Sequence, residues 1–298
     1  MNQGDNQMTR RNLILGCGAA VAASALTRSA SAAPRGVRFG VRTPLPNEGL
    51  RERAQLVKRL GYDGIELGPE WLKQPVEEIQ KQIDGIDIAV SAIVGSIGLL
   101  NMDLEKRAEA IEMDRRRLEM AKALKADCLI EVPTFGANRY PDLSPLMNAR
   151  EIEKKLLIAE LKELAGDIEK SGIVLLLEPC NHKETHFMYQ QAQAARVIEQ
   201  VGCPAIGILS DFYHMQIEEP NIAATLAQYG RYTRYVHLAD GEKRLEPGSL
   251  PFDYRPGFHE LKKWGYAGWL TMESKFTDSP EAALTRALAY IKKQWAEA

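Results

Sequence analysis

Short apolar runs alternate along this chain with longer segments whose apolar positions recur every three or four residues. The apolar runs are four to seven residues long and rich in leucine and β-branched side chains. Such runs are typical of strands that are buried on both faces, as in parallel sheets. Eight strands are predicted, at Val37–Val41, Gly64–Leu67, Ile88–Val94, Cys128–Val132, Ile173–Glu178, Ile206–Asp211, Tyr235–Ala239 and Trp269–Glu273.

The segments between these strands have the spacing of amphipathic helices. The clearest helices are predicted at Glu48–Leu60, Asp103–Leu124, Ala149–Lys170 and Pro280–Trp295. Glycine often ends a helix before the next strand, as in Gly61-Tyr62-Asp63-Gly64 and Gly265-Tyr266-Ala267-Gly268. Eight strand and helix alternations in a chain of this length favour an α/β fold of one domain, a closed (β/α)8 TIM barrel, over an open sheet.

The N-terminal segment has the features of an export signal. Thr9-Arg10-Arg11 contains a twin arginine, a weakly apolar stretch extends to Leu26, and Ala30-Ser31-Ala32 has the pattern of a cleavage site. We therefore expect residues 1–32 to be a cleaved twin-arginine signal peptide, residues 33–298 to form the barrel, and the protein to be periplasmic or exported. A disordered N-terminus, or a lipoprotein modified at Cys17, is the alternative.

The charge and the cysteines of the remaining chain exclude some classes of protein. Removal of residues 1–32 takes away three basic residues and one acidic residue and leaves a net charge of −4. This balance argues against a nucleic-acid partner, and no later apolar stretch is long enough to span a membrane. The three remaining cysteines, Cys128, Cys180 and Cys203, show no paired spacing, so a disulfide framework is not expected.

Metal-binding side chains occur at equivalent places on the last four predicted strands. Glu178, Asp211 and Glu273 end strands five, six and eight, and His237 lies late in strand seven. An ionisable group on a buried strand is unfavourable unless it is paired or bound to a ligand, and the strand ends of a barrel meet at its C-terminal mouth. Each residue alone is more often a cap or an ion-pair partner, but four in matching places predict one shared site. An oxygen-rich set with one imidazole suits Mn²⁺, Mg²⁺ or Co²⁺, with Zn²⁺ as an alternative.

The same strand ends resemble a known family, the sugar phosphate isomerase/epimerase-like (xylose isomerase-like) barrels that include D-tagatose and D-psicose 3-epimerases. The similarity covers nearly all of residues 33–298. It is strongest in Leu177-Glu178-Pro179-Cys180-Asn181, Ser210-Asp211-Phe212-Tyr213-His214-Met215 and Val236-His237-Leu238-Ala239-Asp240, and it continues through Arg244, Pro247-Gly248 and Asp253 to Met272-Glu273.

The resemblance implies a role for each matching residue. It implies that one divalent metal ion has four ligands, namely Glu178, Asp211, His237 and Glu273. Glu178 and Glu273 would also be the catalytic acid and base. His214 and Arg244 would contact substrate oxygens, and Glu66 at the end of strand two would face the same cavity. A structural hydrogen bond for His214, and a surface ion pair of Arg244 with Glu242 or Glu246, are the alternatives.

The chain departs from the epimerases at two places that bear on the substrate. The residue after Asn181 is usually arginine in the sugar epimerases and is His182 here, and the Pro-Gly-x-Gly turn reads Pro247-Gly248-Ser249-Leu250. We expect His182 to contact the substrate, and His186 is a further candidate. Trp71, Phe135, Phe212 and Trp269 are expected to pack in the core or at the rim, with an aromatic wall for a sugar ring as the alternative.

The family's chemistry implies the function. A carboxylate removes the proton next to a ketone, a metal-bound enediolate forms, and an opposed carboxylic acid returns a proton, which yields an epimer or an isomer. Because sugar phosphates are mainly cytoplasmic, the export signal favours a non-phosphorylated ketose or keto-sugar. A 3-keto-glycoside lyase or hydratase and a non-catalytic sugar-binding barrel are the alternatives. A DNA-repair endonuclease is disfavoured, because strands two and three end without histidines. Family members are often dimers or tetramers, so the resemblance allows a homo-oligomer.

Overall fold

The computed structural model describes residues 36–42, 45 and 49–298, which form a closed parallel barrel. Each strand pairs with the next along the chain, and the last pairs with the first in the register Arg38 to Trp269. The eight strands are β1 Arg38–Val41, β2 Gly64–Leu67, β3 Ala89–Val94, β4 Cys128–Glu131, β5 Val174–Leu177, β6 Ile206–Asp211, β7 Thr233–Leu238 and β8 Trp269–Met272.

Helices follow the strands and cover the outside of the barrel. They are α1 Leu50–Arg59, α2 Val76–Ile83, α3 Leu104–Ala123, α4 Ala149–Ser171, α5 Gln191–Val201, α6 Phe212–Glu218, α7 Ile222–Tyr229, α8 Arg255–Lys263 and α9 Pro280–Glu297. Local sequence accounts for several helix ends. Asp103 caps α3 through its side chain, Asn148 and Glu151 form a capping box on α4, and Gly172 ends α4 in the left-handed conformation.

The predicted barrel is confirmed, with small differences at the strand ends. Each predicted strand overlaps one observed strand, but Glu178 and Glu273 lie one residue beyond β5 and β8, and Glu66 lies one residue before the end of β2. Gly61 and Gly265 follow α1 and α8 with φ of +86° and +69°, a conformation in which glycine is favoured. The predicted signal peptide, residues 1–32, lies outside the described residues and stays a prediction.

Packed side chains fill the lower part of the barrel. The interior cluster consists of Ala92, Cys128, Ile130, Leu176, Leu209, Tyr235 and Trp269. The buried Tyr235 hydroxyl bonds to Ser91 Oγ at 2.7 Å and Thr271 Oγ1 at 2.8 Å. A β-carbon at Gly64 would lie 2.4 Å from the Trp269 ring, so this part of the barrel interior leaves no space for a side chain at position 64. Chemistry is therefore restricted to the C-terminal mouth.

The described residues include no membrane-spanning helix and no disulfide. None of the helices in this part of the chain combines the length and the apolar character needed to cross a membrane. The three cysteines there, Cys128, Cys180 and Cys203, are buried and unpaired.

Candidate metal centre and active-site cavity

The four side chains predicted to share a metal ion meet at the C-terminal mouth of the barrel. We call Glu178, Asp211, His237 and Glu273 the metal cluster, because each offers one donor atom and these atoms all lie within 4.8 Å of one another. Their strands, β5 to β8, are consecutive around the barrel, so their ends are neighbours. In the register of β6 and β7, Asp211 lies directly opposite His237.

His237 has the environment of a metal ligand. Its Nε2 lies 2.7 Å from Glu66 Oε2, and Glu66 Oε1 in turn lies 2.8 Å from Arg42 Nε. The other ring nitrogen, Nδ1, is buried with Glu273 Oε2 at 2.8 Å and Glu178 Oε1 at 3.6 Å, yet it makes no hydrogen bond of acceptable geometry. A carboxylate behind the ring fixes the orientation of many metal-bound histidines. The buried Nδ1, which has two carboxylates of the cluster beside it and no well-aligned hydrogen bond, therefore fits a cation within the cluster.

Arg244 balances part of the negative charge of the cluster. Its Nη2 lies 2.9 Å from Asp211 Oδ2 and 2.7 Å from Glu273 Oε2. The guanidinium thus faces the cluster rather than Glu242 or Glu246, and its contact with a substrate stays a prediction. The Arg244 backbone has φ of +55°, an uncommon value for a residue with a side chain and one that is often found at functional sites.

His214 also faces the metal cluster. It lies in the first turn of α6, and its Nδ1 accepts a hydrogen bond from the Asn181 backbone N–H at 3.1 Å. An accepting Nδ1 places the ring proton of the neutral imidazole on Nε2. Nε2 lies 3.4 Å from Asp211 Oδ2 and 3.8 Å from Glu178 Oε1. His214 therefore presents an N–H donor to the cavity.

The two glutamates of the cluster have different electrostatic environments. Burial raises the pKa of Glu178, although His237 and His214 oppose this rise. Burial also acts to raise the pKa of Glu273, but the charges of His237 and Arg244 outweigh it and hold that pKa well below its usual range. Burial lowers the pKa of His237, but the neighbouring Glu66 and Glu273 outweigh burial and raise that pKa well above its usual range. The positive charges of His237 and Arg244 thus stabilise the carboxylate form of Glu273 more than that of Glu178.

A second group of donors, Glu178, Cys180 and His214, is close enough to hold an ion. Metal binding by cysteine requires the thiolate. Burial, with help from neighbouring carboxylates, raises the pKa of the Cys180 thiol well above its usual range. The oxygen-rich metal cluster is therefore the better site for a divalent ion with octahedral preference.

The metal cluster borders a cavity of about 130 Å³ with one polar and one apolar side, which we call the main cavity. The polar side includes Arg42, Glu66, Glu178, Glu184, His214, His237, Arg244 and Glu273. The apolar side includes Val94, Ile97, Ile130, Val132 and Phe135. Such a lining suits a small molecule with hydroxyl groups on one face and C–H groups on the other.

The sequence-predicted residues do not all lie in this cavity. Glu66, His214 and Arg244 line it together with Glu178, His237 and Glu273. The His182 side chain is 57% exposed, bonds to Glu218 and is not among the residues that line the cavity. Of the four candidate aromatic residues, Phe135 lines the cavity, whereas Phe212 and Trp269 are buried in the core.

Arg42 is the main residue that sequence reasoning missed. It directly follows β1, lines the main cavity and forms the ion pair with Glu66. A signal was present in the sequence, because Arg42 occupies the same place after β1 as Glu178 does after β5. Polar residues at strand ends form a clear pattern only in the second half of the sequence.

Comparisons with known proteins agree with this architecture. The sequence profile of the family described as "Xylose isomerase-like TIM barrel" matches residues 54–294. The chain is 27% identical over 250 residues to 3-dehydro-D-guloside 4-epimerase of Escherichia coli strain K12, which covers 82% of this chain and 95% of that protein. It is 26% identical over 258 residues to ketose 3-epimerase of Arthrobacter globiformis, which covers 84% of this chain and 86% of that enzyme.

Solved structures share the fold. The apo structure of 3-keto-D-glucoside 4-epimerase from E. coli superposes with a TM-score of 0.76 at 24% identity, over 86% of this chain and 99% of the other. A D-psicose 3-epimerase crystallised in the presence of D-fructose superposes with a TM-score of 0.74 at 18% identity, over 87% and 99%. At these identities the structural likeness establishes the fold, while the relatives found by sequence are epimerases and isomerases.

Proposed function

Because the chain belongs to the xylose isomerase-like TIM barrel family, we propose that it is a divalent-metal-dependent epimerase or isomerase of a non-phosphorylated keto-sugar. The observation that carries this proposal is the placement of Glu178 and Glu273 in one cavity around a cluster of four donor atoms. The two carboxylates come from β5 and β8, three strands apart around the barrel, so they approach the cavity from different directions.

The residues of this chain account for the proton transfers. One of the two glutamates, as the carboxylate, removes the proton from the carbon next to the ketone, and the other, as the acid, returns one. His214 Nε2–H and the Arg244 guanidinium donate hydrogen bonds to substrate oxygens. Return of the proton to the opposite face of the same carbon gives an epimer, and return to the neighbouring carbon gives an isomer.

A divalent ion held by Glu178, Asp211, His237 and Glu273 would supply Lewis-acid stabilisation of the negative charge that develops on the substrate. Mn²⁺ is the proposed ion, with Mg²⁺, Co²⁺ and Zn²⁺ as the alternatives to test. Glu66 and Arg42 act behind His237, because their contacts fix the orientation of its ring.

Two observations support a neutral keto-sugar as the substrate. The relatives include a ketose 3-epimerase and a 3-dehydro-D-guloside 4-epimerase, both named for sugars without phosphate. Both guanidinium groups at the main cavity, those of Arg42 and Arg244, already pair with carboxylates. Their positive charge is therefore already balanced by carboxylates, which favours neutral hydroxyl groups over a phosphate dianion in this cavity.

Deuterium uptake from D₂O tests the proposal directly. The protein is loaded with Mg²⁺, which avoids paramagnetic broadening, and incubated with a panel of free ketoses and 3-keto-glycosides. We expect NMR to show deuterium at a carbon next to the ketone. Substitution of either Glu178→Gln or Glu273→Gln should slow this uptake by about 10²- to 10⁴-fold, the usual contribution of one acid or base.

Glu160→Gln is the matched control. Glu160 is a partly buried glutamate on α4 that pairs with Arg107 at 3.2 Å and is not part of the metal cluster. Its variant should retain uptake within a few-fold of the wild type. Uptake that survives in both active-site variants would overturn the proposed roles, and no uptake by the metal-loaded wild type would overturn the function. Release of a free aglycone or of a dehydrated sugar would identify a lyase instead.

A further inference from the structure

A second cavity adjoins the main cavity at the mouth of the barrel. It has a volume of about 190 Å³, and we call it the side cavity. Ile97 and Phe135 line both cavities, so these two side chains stand between them. Both are partly exposed, at 38% and 43%. The two cavities therefore form adjoining compartments, and the proposed metal chemistry occupies only one.

Glu153 is the most informative residue of the side cavity. This residue of α4 lines the cavity and is 1% exposed. Its Oε1 lies 2.6 Å from His186 Nε2, but Oε2 is buried and has no hydrogen-bond partner among the described residues. Buried carboxylate oxygens are rarely left without a donor, because desolvation without compensation is unfavourable. An unpaired acceptor beside a cavity points to a ligand that supplies the missing donor.

The contacts of Glu153 are held in place by two loops of the barrel mouth. His186 Nδ1 lies 2.8 Å from the carbonyl oxygen of Gly136, and the His186 N–H donates to the same oxygen at 3.2 Å. The Gly136 N–H donates to the carbonyl oxygen of Glu184 at 2.7 Å, and Glu184 lines the main cavity. Hydrogen bonds thus connect the loops after β4 and β5, and the same loops contribute to both cavities.

The rest of the side cavity suits a hydroxylated ring. Asn101, Arg139 and Tyr140 add polar groups to its wall, and the Tyr140 hydroxyl donates to the Asn101 carbonyl oxygen at 3.1 Å. Ile97 and Phe135 add an apolar edge where the two cavities meet. Polar groups that flank an apolar surface match the hydroxyl edges and the C–H faces of a sugar or a polyol.

We propose that the side cavity binds the aglycone of a keto-glycoside, a second hydroxylated ring attached to the keto-sugar, and that Glu153 Oε2 accepts a hydroxyl hydrogen bond from it. This inference rests on the proposed function, because the keto-sugar itself occupies the main cavity. The protein is then a glycoside epimerase rather than an enzyme of free ketoses. Glu153 determines specificity without taking part in proton transfer.

Two measurements test the side cavity separately from the chemistry. In the first, deuterium uptake is compared for a 3-keto-disaccharide and for the corresponding free keto-sugar, and kcat/KM is determined for each. We expect the wild type to prefer the disaccharide, and we expect Glu153→Ala to reduce this preference by about 10- to 100-fold, because a hydrogen bond to a charged acceptor is lost. In the Glu160→Gln control, which alters a residue of the same helix that lines neither cavity, the preference should persist.

The second measurement does not depend on turnover. Saturation-transfer NMR on the metal-free protein, with an unoxidised disaccharide as the probe, should show contact to the second ring, and Glu153→Ala should weaken this contact. Equal kcat/KM for both substrates, or a preference that survives in Glu153→Ala, would overturn the side-cavity proposal. The proposed function would still be supported in that case, because deuterium uptake would have been observed. No uptake with either substrate would overturn the proposed function, and disaccharide binding that depends on Glu153 would then remain as a separate result.

Discussion

Two clusters of buried acids lie near the mouth of this barrel, and they are stabilised in opposite ways. The metal cluster on β5 to β8 is surrounded by positive groups, with His237 inside it and Arg244 bonded to two of its carboxylates. The acid pair on the other side consists of Asp114 on α3 and Glu131 at the end of β4, both 0% exposed. The structure describes no ion pair for either member of the acid pair.

The acid pair is stabilised by backbone N–H donors rather than by cations, and its raised pKa values favour the protonated form. The Ser96 N–H donates to Asp114 Oδ1 at 2.7 Å and to Glu131 Oε2 at 3.1 Å, and the Ile97 N–H donates to Glu131 Oε1 at 3.1 Å. Burial raises the pKa of Asp114 to about 6, and burial together with the charge of Asp114 raises the pKa of Glu131 well above its usual range.

The difference shows that a buried carboxylate does not by itself predict a metal site. The metal cluster combines carboxylates with an imidazole whose Nδ1 lacks a hydrogen bond, whereas the acid pair offers no nitrogen ligand. The acid pair instead holds the loop after β3, where Ile97 has φ of +59° and stands between the two cavities. One cluster is suited to chemistry, and the other shapes the wall beside it.

The largest expected difference between the clusters is in the response to pH. The folded protein keeps protons on the acid pair at pH values where the unfolded chain has released them. The stability that Asp114 contributes is therefore full below about pH 4 and is lost as pH rises through about 6. A shift of about two pKa units corresponds to about 3 kcal/mol. Asp114→Asn should remove the part of this dependence that Asp114 contributes, whereas buried Glu131 keeps its own.

Denaturant unfolding of the wild type and of Asp114→Asn from pH 4.5 to 7.5 measures the effect. We expect the free energy of unfolding of the variant, relative to that of the wild type, to increase as pH rises. A constant difference between the two proteins across this range would show that Asp114 does not bind an extra proton in the folded state.

The second expected difference is in the response to metal. A ligand at 100 times its Kd stabilises the folded state by about 2.7 kcal/mol, which for a domain of this size is an increase in Tm of about 5 to 10 °C. Mn²⁺ should produce this increase in the wild type and in Asp114→Asn but not in His237→Ala. Thermal unfolding with and without chelator gives the result. An increase that persists in His237→Ala would place the ion elsewhere.

The smallest expected effect is that of Glu66, which contacts His237, on the affinity for metal. Glu66→Gln keeps a hydrogen-bonding group next to His237 Nε2 but removes the charge. Loss of such a carboxylate usually weakens metal binding by about 10- to 100-fold, and calorimetric titration with Mn²⁺ should show this change in Kd. Glu160→Gln should bind Mn²⁺ as the wild type does. Equal affinity in Glu66→Gln would mean that Glu66 has no part in metal binding.

The periodicity of the sequence was sufficient for the fold and for the place of the metal cluster. Strands of a parallel barrel follow one another in space in chain order, so residues at equivalent strand ends are neighbours. This rule brings Glu178, Asp211, His237 and Glu273 together without knowledge of any side-chain contact. The same rule gave no account of His182, because loops do not follow strand periodicity, and this side chain is exposed beside Glu218.

Contacts between residues far apart in the chain form only because the barrel closes. Arg42 after β1, Glu66 in β2 and His237 in β7 form one line of contacts across the mouth, although 171 positions separate Glu66 from His237. The unpaired oxygen of Glu153 likewise depends on a helix packed against two loops. The sequence alone determined the order of the strands and the side chains at their ends, because both follow local periodicity. Only the tertiary structure determined which charges are paired and which are left for a ligand, because pairing depends on distances between residues far apart in the chain.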